Sequence, residues 1–193
     1  TLLETIFLLI GGLSLYDSSL IAFSTAGTGG FTQFNAGLAN IGSYNQWVVT
    51  IFMFLFGVNF NLYFLLLMKE IKPIFKSEEL RFYFFMCLIA IAFVCANTWH
   101  AFDTLSEAIR QSAFHVSSVV TSTGFAIGDV NIYPTSCRLI FLLLMLVSAC
   151  AGSTCGGFKI SRLIICLKSI ARDFVKTFKP NSVKIVKFED KKV

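Results

Sequence analysis

Two short runs of small polar residues recur 94 positions apart and end alike. Ser24-Thr-Ala-Gly-Thr-Gly-Gly-Phe31 overlays Ser118-Val-Val-Thr-Ser-Thr-Gly-Phe125. Ser24 meets Ser118, Thr28 meets Ser122, Gly30 meets Gly124 and Phe31 meets Phe125; further out, Ser18 meets Ser112. Glycine permits positive φ and keeps a β-carbon out of the way. A chain extended through such a run can turn its carbonyl oxygens to one side, where they replace the hydration shell of a cation. Serine and threonine add hydroxyl oxygens or brace the strand from behind. The chemistry these residues suit is cation coordination, with no bond made or broken. A single Gly-Gly of this kind reads better as close helix packing; the duplication in one setting favours the ion site.

A third run, Ala149-Cys-Ala-Gly-Ser-Thr-Cys-Gly-Gly157, interrupts the last apolar segment and leads into Phe158 and Lys159. It is no phosphate loop, because Phe158 separates Gly157 from Lys159, Ile160 follows, and no strand precedes it. A kinked helix with close packing fits its composition.

The elements around these runs must hold them at membrane depth. Of 193 residues, 55% are hydrophobic and 14% charged, with Phe at 22 positions and Pro at 3; mean hydropathy is +0.74. Soluble domains carry about a quarter charged residues, so the fold class is an all-α integral membrane protein. Thr1 to Leu15 is a span too short to cross, its start missing. Asp17 is the expected N-cap of a short helix to Ala26, followed by a polar loop from Thr32 to Gln46. Trp47 to Met68 is a span interrupted at Gly57-Val-Asn-Phe-Asn61, and Leu80 to Trp99 is another. Thr104-Leu-Ser-Glu107 matches a capping box opening a second short helix to Val120. Arg138 to Ala149 starts the last span, which resumes from Phe158 to Phe178 and ends at Pro180. Each short helix has too few residues to cross, since about 20 are needed, and so enters and returns.

The domains expected are a helix–pore loop–helix repeat over 1–68, a charged loop over 69–79, a second repeat over 80–178 and a basic tail over 179–193. Lys69, Lys72, Lys76 and Arg81 cluster in the loop, and Lys159, Arg162, Lys168, Arg172, Lys176, Lys179 and the tail lysines cluster after the last span. Both clusters are expected in the cytoplasm, with the glycine runs facing outside. The net charge of +5 is a topology signal, and no nucleic-acid partner is expected. The six cysteines form no CxxC pair and are read as small buried hydrophobes. His115 is expected to pack or bond locally, and His100 has no ligand-spaced neighbours. Asn59 and Asn61 are expected to bond nearby backbone.

In order along the chain, Ser24 to Phe31, Gly57-Val-Asn-Phe60, Thr121 to Phe125, Ala151 to Lys159 and Lys179-Pro-Asn-Ser-Val183 resemble the Trk/Ktr/HKT superfamily of potassium transporters, nearest its TrkH-type pore subunits. The resemblance implies the second and third of four repeats around one pore. It implies a filter at Ala26, Gly27, Thr28, Gly29, Gly30, Thr121, Ser122, Thr123 and Gly124, with potassium, the transported ligand, at Thr28, Gly29, Gly30, Thr123 and Gly124. Either Gly29 or Gly30 fits as the key glycine of the first strand. It implies a gate loop of Gly152, Ser153, Thr154, Cys155, Gly156, Gly157 and Lys159, with Cys155 where the family has a small residue. Implied partners are the remaining two repeats of the polypeptide, a second subunit in a homodimer, a cytosolic nucleotide-binding regulatory subunit and the lipid bilayer of the bacterial inner membrane. The basic segment Lys168 to Lys192 is a docking surface for that subunit or for anionic lipid. No cofactor and no enzyme activity are implied. A sodium or mixed-cation transporter of the superfamily, ion-coupled symport in place of channel-like flow, and a non-conducting scaffold all remain compatible with these residues.

Overall fold

The computed structural model describes residues 1–178, 187–188 and 191–192. Most of the expected basic tail, including Lys179 to Val183, lies outside the described residues; Lys187–Phe188 pairs antiparallel with Lys191–Lys192. The chain is helical throughout its apolar parts. Helix α1 (Leu2–Ile10) leads into the short α2 (Leu15–Ala26), and α3 (Gly42–Phe56) is followed by α4 (Phe60–Leu67) and α5 (Ile71–Lys76). Helix α6 (Glu78–Thr98) precedes α7 (Leu105–Val120), α8 (Thr135–Leu146) and α9 (Ile160–Phe178). Two-residue strands β1 (Val147–Ser148) and β2 (Phe158–Lys159) lie between α8 and α9.

The two short helices each start from a side-chain N-cap. Thr104 Oγ1 accepts from the Glu107 amide at 3.2 Å, as the sequence predicts. The N-cap of α2 is Ser14, not Asp17. Ser14 Oγ accepts from the Asp17 amide at 3.1 Å and donates to Asp17 Oδ2 at 2.7 Å. Asp17 sits in the first turn, where its charge suits the helix dipole.

The expected span Trp47 to Met68 is two helices. Helix α3 starts five residues earlier than Trp47, at Gly42, so the polar loop is shorter than expected. It ends at Gly57, and α4 leaves at 91° to it. The bend frees carbonyls that a continuous helix would satisfy. Tyr63 Oη donates to the Leu55 carbonyl at 2.5 Å, and Tyr83 Oη to that of Phe54 at 3.2 Å. Asn59 caps α4, its Oδ1 accepting from the Asn61 amide at 3.0 Å. The segment 69–79 is not all loop: it contains α5 and the first residues of α6. Among the described residues, Glu78–Ala101 is long and apolar enough to cross a membrane, and the bent α3–α4 pair passes that test only if taken together.

Helix α7 is the spine of the packing. Phe114 joins Leu8, Ile21, Val49 and Met53 in one apolar cluster. Val116 and Val120 join Val94, Cys137, Phe141 and Ile160 in another. Packed on both sides, α7 is largely buried along its second half.

Candidate functional site: two strands above one loop

The two polar runs leave the C-terminal ends of α2 and α7 with the same backbone. The amides of Gly27, Thr28 and Gly29 donate to the carbonyls of Phe23, Thr25 and Ser24. Their counterparts Thr121, Ser122 and Thr123 donate to Ser117, Val119 and Ser118. Thr28 and Ser122 both take positive φ, at 50° and 57°, as do Gly30 and Gly124, at 69° and 81°. The 94-residue overlay pairs Gly30 with Gly124, and Gly29 competes for that place. By conformation Gly30 is the mate of Gly124, because Gly29 does not have positive φ.

The runs lie side by side. A β-carbon on Gly30 would overlap the Thr123 carbonyl oxygen. Beyond them, the Leu38 amide donates to the Ala126 carbonyl at 2.9 Å, and Gly37 bridges Ile127. Several hydroxyls brace the strands from behind. Ser24 Oγ accepts from the Phe31 amide at 2.7 Å, and Ser118 Oγ donates to the Phe125 carbonyl at 2.6 Å. Thr121 and Thr123 are buried, and their hydroxyls share a 2.8 Å bond. His115 bonds locally, as expected: Nε2 lies 3.1 Å from the Ile127 carbonyl, and its ring meets Tyr133 edge-on at 5.1 Å. Burial, with a smaller contribution from the neighbouring Cys137, pushes the Tyr133 phenol well above its usual range. The two strands differ at their ends: Phe125 is buried and Phe31 is 78% exposed.

The broken last span forms a closed loop. Helix does not resume at Phe158; instead β1 and β2 pair in parallel, Val147 with Phe158 and Ser148 with Lys159. This neck ties the two ends of residues 149–157 together. Gly157 takes φ of 92°, and a β-carbon there would come within 2.9 Å of Ser148 Cβ. Only glycine fits so tight a crossing.

The loop reaches both strands. Thr28 Oγ1 donates to its neighbour Gly27 at 2.8 Å and lies 3.3 Å from the Thr154 carbonyl. Ser122 Oγ lies 3.3 Å from the Gly156 carbonyl. Repeat-related side chains thus meet opposite sides of Cys155. The Cys155 thiol is buried, in keeping with its reading as a small buried hydrophobe. Lys159 Nζ donates to the Cys155 carbonyl and lies 3.5 Å from Ser153 Oγ. Lys159 is therefore a brace of the loop as well as a basic residue after it.

The first side of the loop is held by groups that sequence reasoning missed. The Gly57 carbonyl accepts from the Cys150 amide at 3.1 Å, and the Phe60 amide donates to the Gly152 carbonyl at 3.2 Å. Glu79, expected in a charged loop, is only 3% exposed, and its Oε1 accepts from the Ala151 amide at 2.6 Å. No spacing rule links a carboxylate to a backbone amide 72 residues on.

Three comparisons fit this geometry. The potassium transporter TrkH from Vibrio parahaemolyticus, a crystal structure, superposes with a TM-score of 0.91 over 96% of this chain and 41% of its own, at 22% identity. The Trk system potassium uptake protein TrkG of Escherichia coli (strain K12) is 32% identical over 165 residues, which cover 82% of this chain and 33% of TrkG. The Trk system potassium uptake protein TrkH of Salmonella typhimurium is 27% identical over 180 residues, covering 91% of this chain and 37% of that protein. The chain therefore spans about a third of the length of the curated relatives it matches. Residues 9–193 match the TrkH family, described as cation transport proteins. With its helix–pore loop–helix repeats and that match along nearly its whole length, the chain belongs to the TrkH family of cation transport proteins, which are transporters and not enzymes.

Proposed function

We propose that these residues form two neighbouring walls of a potassium-conducting pore in a bacterial inner membrane. Potassium loses its water at the carbonyls of Ala26 to Gly30 and Thr121 to Gly124, then passes the loop Gly152 to Gly157, which acts as the gate. The observation that carries this reading is the shared backbone of the two runs, with positive φ at Thr28 and Gly30 and again at Ser122 and Gly124. The end of each short helix adds a partial negative charge beside its run, which favours a cation. The contacts of Thr28 and Ser122 with Thr154 and Gly156 support a gate directly beneath the strands. The relatives named as potassium uptake proteins support potassium as the ion.

A carbonyl ring needs about four strands. The remaining two repeats of the polypeptide would supply the others. Two such subunits would pair, and a cytosolic nucleotide-binding subunit would dock on the basic face that begins with Lys168 and Arg172. The charged segment 69–79 and the tail would then face the cytoplasm. The test is rubidium uptake by the full-length protein in cells lacking their own potassium transporters. Gly30→Asp together with Gly124→Asp is expected to abolish uptake while leaving the protein in the membrane. Uptake equal to that of the parent protein overturns the filter assignment.

A further inference from the structure

Among the described residues, the loop 149–157 is held unequally on its two sides. Its first side, Cys150 to Gly152, has three fixings in three consecutive residues. Two are backbone bonds to the α3–α4 bend, at Gly57 and Phe60. The third is the Glu79 carboxylate on the Ala151 amide at 2.6 Å. A hydrogen bond to an ionised acceptor is about twice as strong as a neutral one, and burial at 3% exposure shields it from competing water. The second side, Thr154 to Gly156, has two hydroxyl contacts at 3.3 Å. A further brace among the described residues, Lys159 on the Cys155 carbonyl, comes from the neck, where Lys159 pairs with Ser148.

The residue before Glu79 extends the same grip. Glu78 pairs with Lys168 of α9. The first turn of α6 therefore holds both the near side of the loop and the helix that leaves it.

We propose that Glu79 is a positioning residue for permeation: it fixes Cys150 to Gly152 in place, so that opening is confined to Thr154 to Gly156. This rests on the loop being the gate. Without the carboxylate, the near side loses its strongest tie, the loop leaves its seat more often, and ions leak.

The test uses the full-length protein in proteoliposomes, with rubidium flux measured beside site-resolved N-ethylmaleimide labelling read by mass spectrometry. Cys150 reports the near side of the loop, and Cys137 of α8, equally buried, reports general loosening. Glu79→Ala is expected to raise Cys150 labelling about tenfold, the effect of losing one charge-assisted bond, and to raise basal flux, with Cys137 unchanged. Glu79→Gln keeps an acceptor oxygen and is expected to fall between parent and alanine variant. Unchanged Cys150 labelling in Glu79→Ala overturns the proposal, whatever the flux does. If Cys137 rises as well, the alanine variant has loosened the fold, and Glu79→Gln decides: Cys150 must rise there with Cys137 unchanged, or the proposal fails. Raised Cys150 labelling with unaltered flux upholds the anchor and overturns the gate reading.

Discussion

Ser24 and Ser118 occupy equivalent places in the repeat but use their hydroxyls in opposite senses. Ser24 Oγ accepts from the Phe31 amide, whereas Ser118 Oγ donates to the Phe125 carbonyl. One strand is held by its N–H and the other by its C=O. The two bonds also differ in shelter, because Ser118 and Phe125 are buried, while Phe31 is exposed.

Alanine at either serine removes one bond, a loss of about 1 kcal/mol, and more where a buried group is left unpaired. Ser24→Ala and Ser118→Ala are therefore each expected to lower rubidium uptake by the full-length protein. Rubidium flux in proteoliposomes measures this. Uptake equal to that of the parent in both variants would show that these hydroxyls do not hold the strands.

Gly30 and Gly124 share a conformation, with φ of 69° and 81°. Alanine at either pays for positive φ, roughly 1–2 kcal/mol. At Gly30 the new methyl also strikes the Thr123 carbonyl of the neighbouring strand. Gly30→Ala should abolish rubidium uptake by the full-length protein. Uptake equal to that of the parent would show that crowding between the strands does not limit them.

These pairs mark what could be read from the residues alone. The repeat was legible because positive φ at Gly30 and Gly124 demands glycine, and the demand appears twice at one spacing. The break at Gly57 was legible as a break; its 91° angle was not, because tyrosines 8 and 29 residues away take the freed carbonyls. Ser14 and Asp17 are both good caps, and their three-residue spacing is that of a box in which either can look like the first member. Glu79 stood among charged residues and was taken for one of them, since its partner is a backbone amide without a signature.

The tyrosines at the bend can be tested directly. Tyr83→Phe leaves the Phe54 carbonyl short of a donor in a buried setting and should lower stability by about 1–3 kcal/mol. Tyr63→Phe should cost less, because its bond to Leu55 is more exposed. Thermal unfolding of the purified protein in detergent ranks the two. No loss in Tyr83→Phe would mean that water or a neighbouring donor satisfies the carbonyl.

The Glu78–Lys168 pair is expected to be weak. Each side chain is more than a third exposed, and exposed pairs are worth about 0.2–1 kcal/mol. A double-mutant cycle with Glu78→Gln and Lys168→Met should return a coupling within that range, falling as salt rises. A larger, salt-independent coupling would place the pair in a drier setting than its exposure indicates.

The parallel pairing of Val147–Ser148 with Phe158–Lys159 has a mechanical consequence. Because the ends of the intervening segment are stitched to each other, its rearrangement transmits no length change to α8 or α9. On the gate reading proposed above, the bundle keeps its outline while the loop moves, as a drawstring bag keeps its seams when its mouth is worked. Movement there then costs the loop's own bonds and its packing at Cys150 and Cys155, while the apolar contacts of the surrounding helices with one another stay in place.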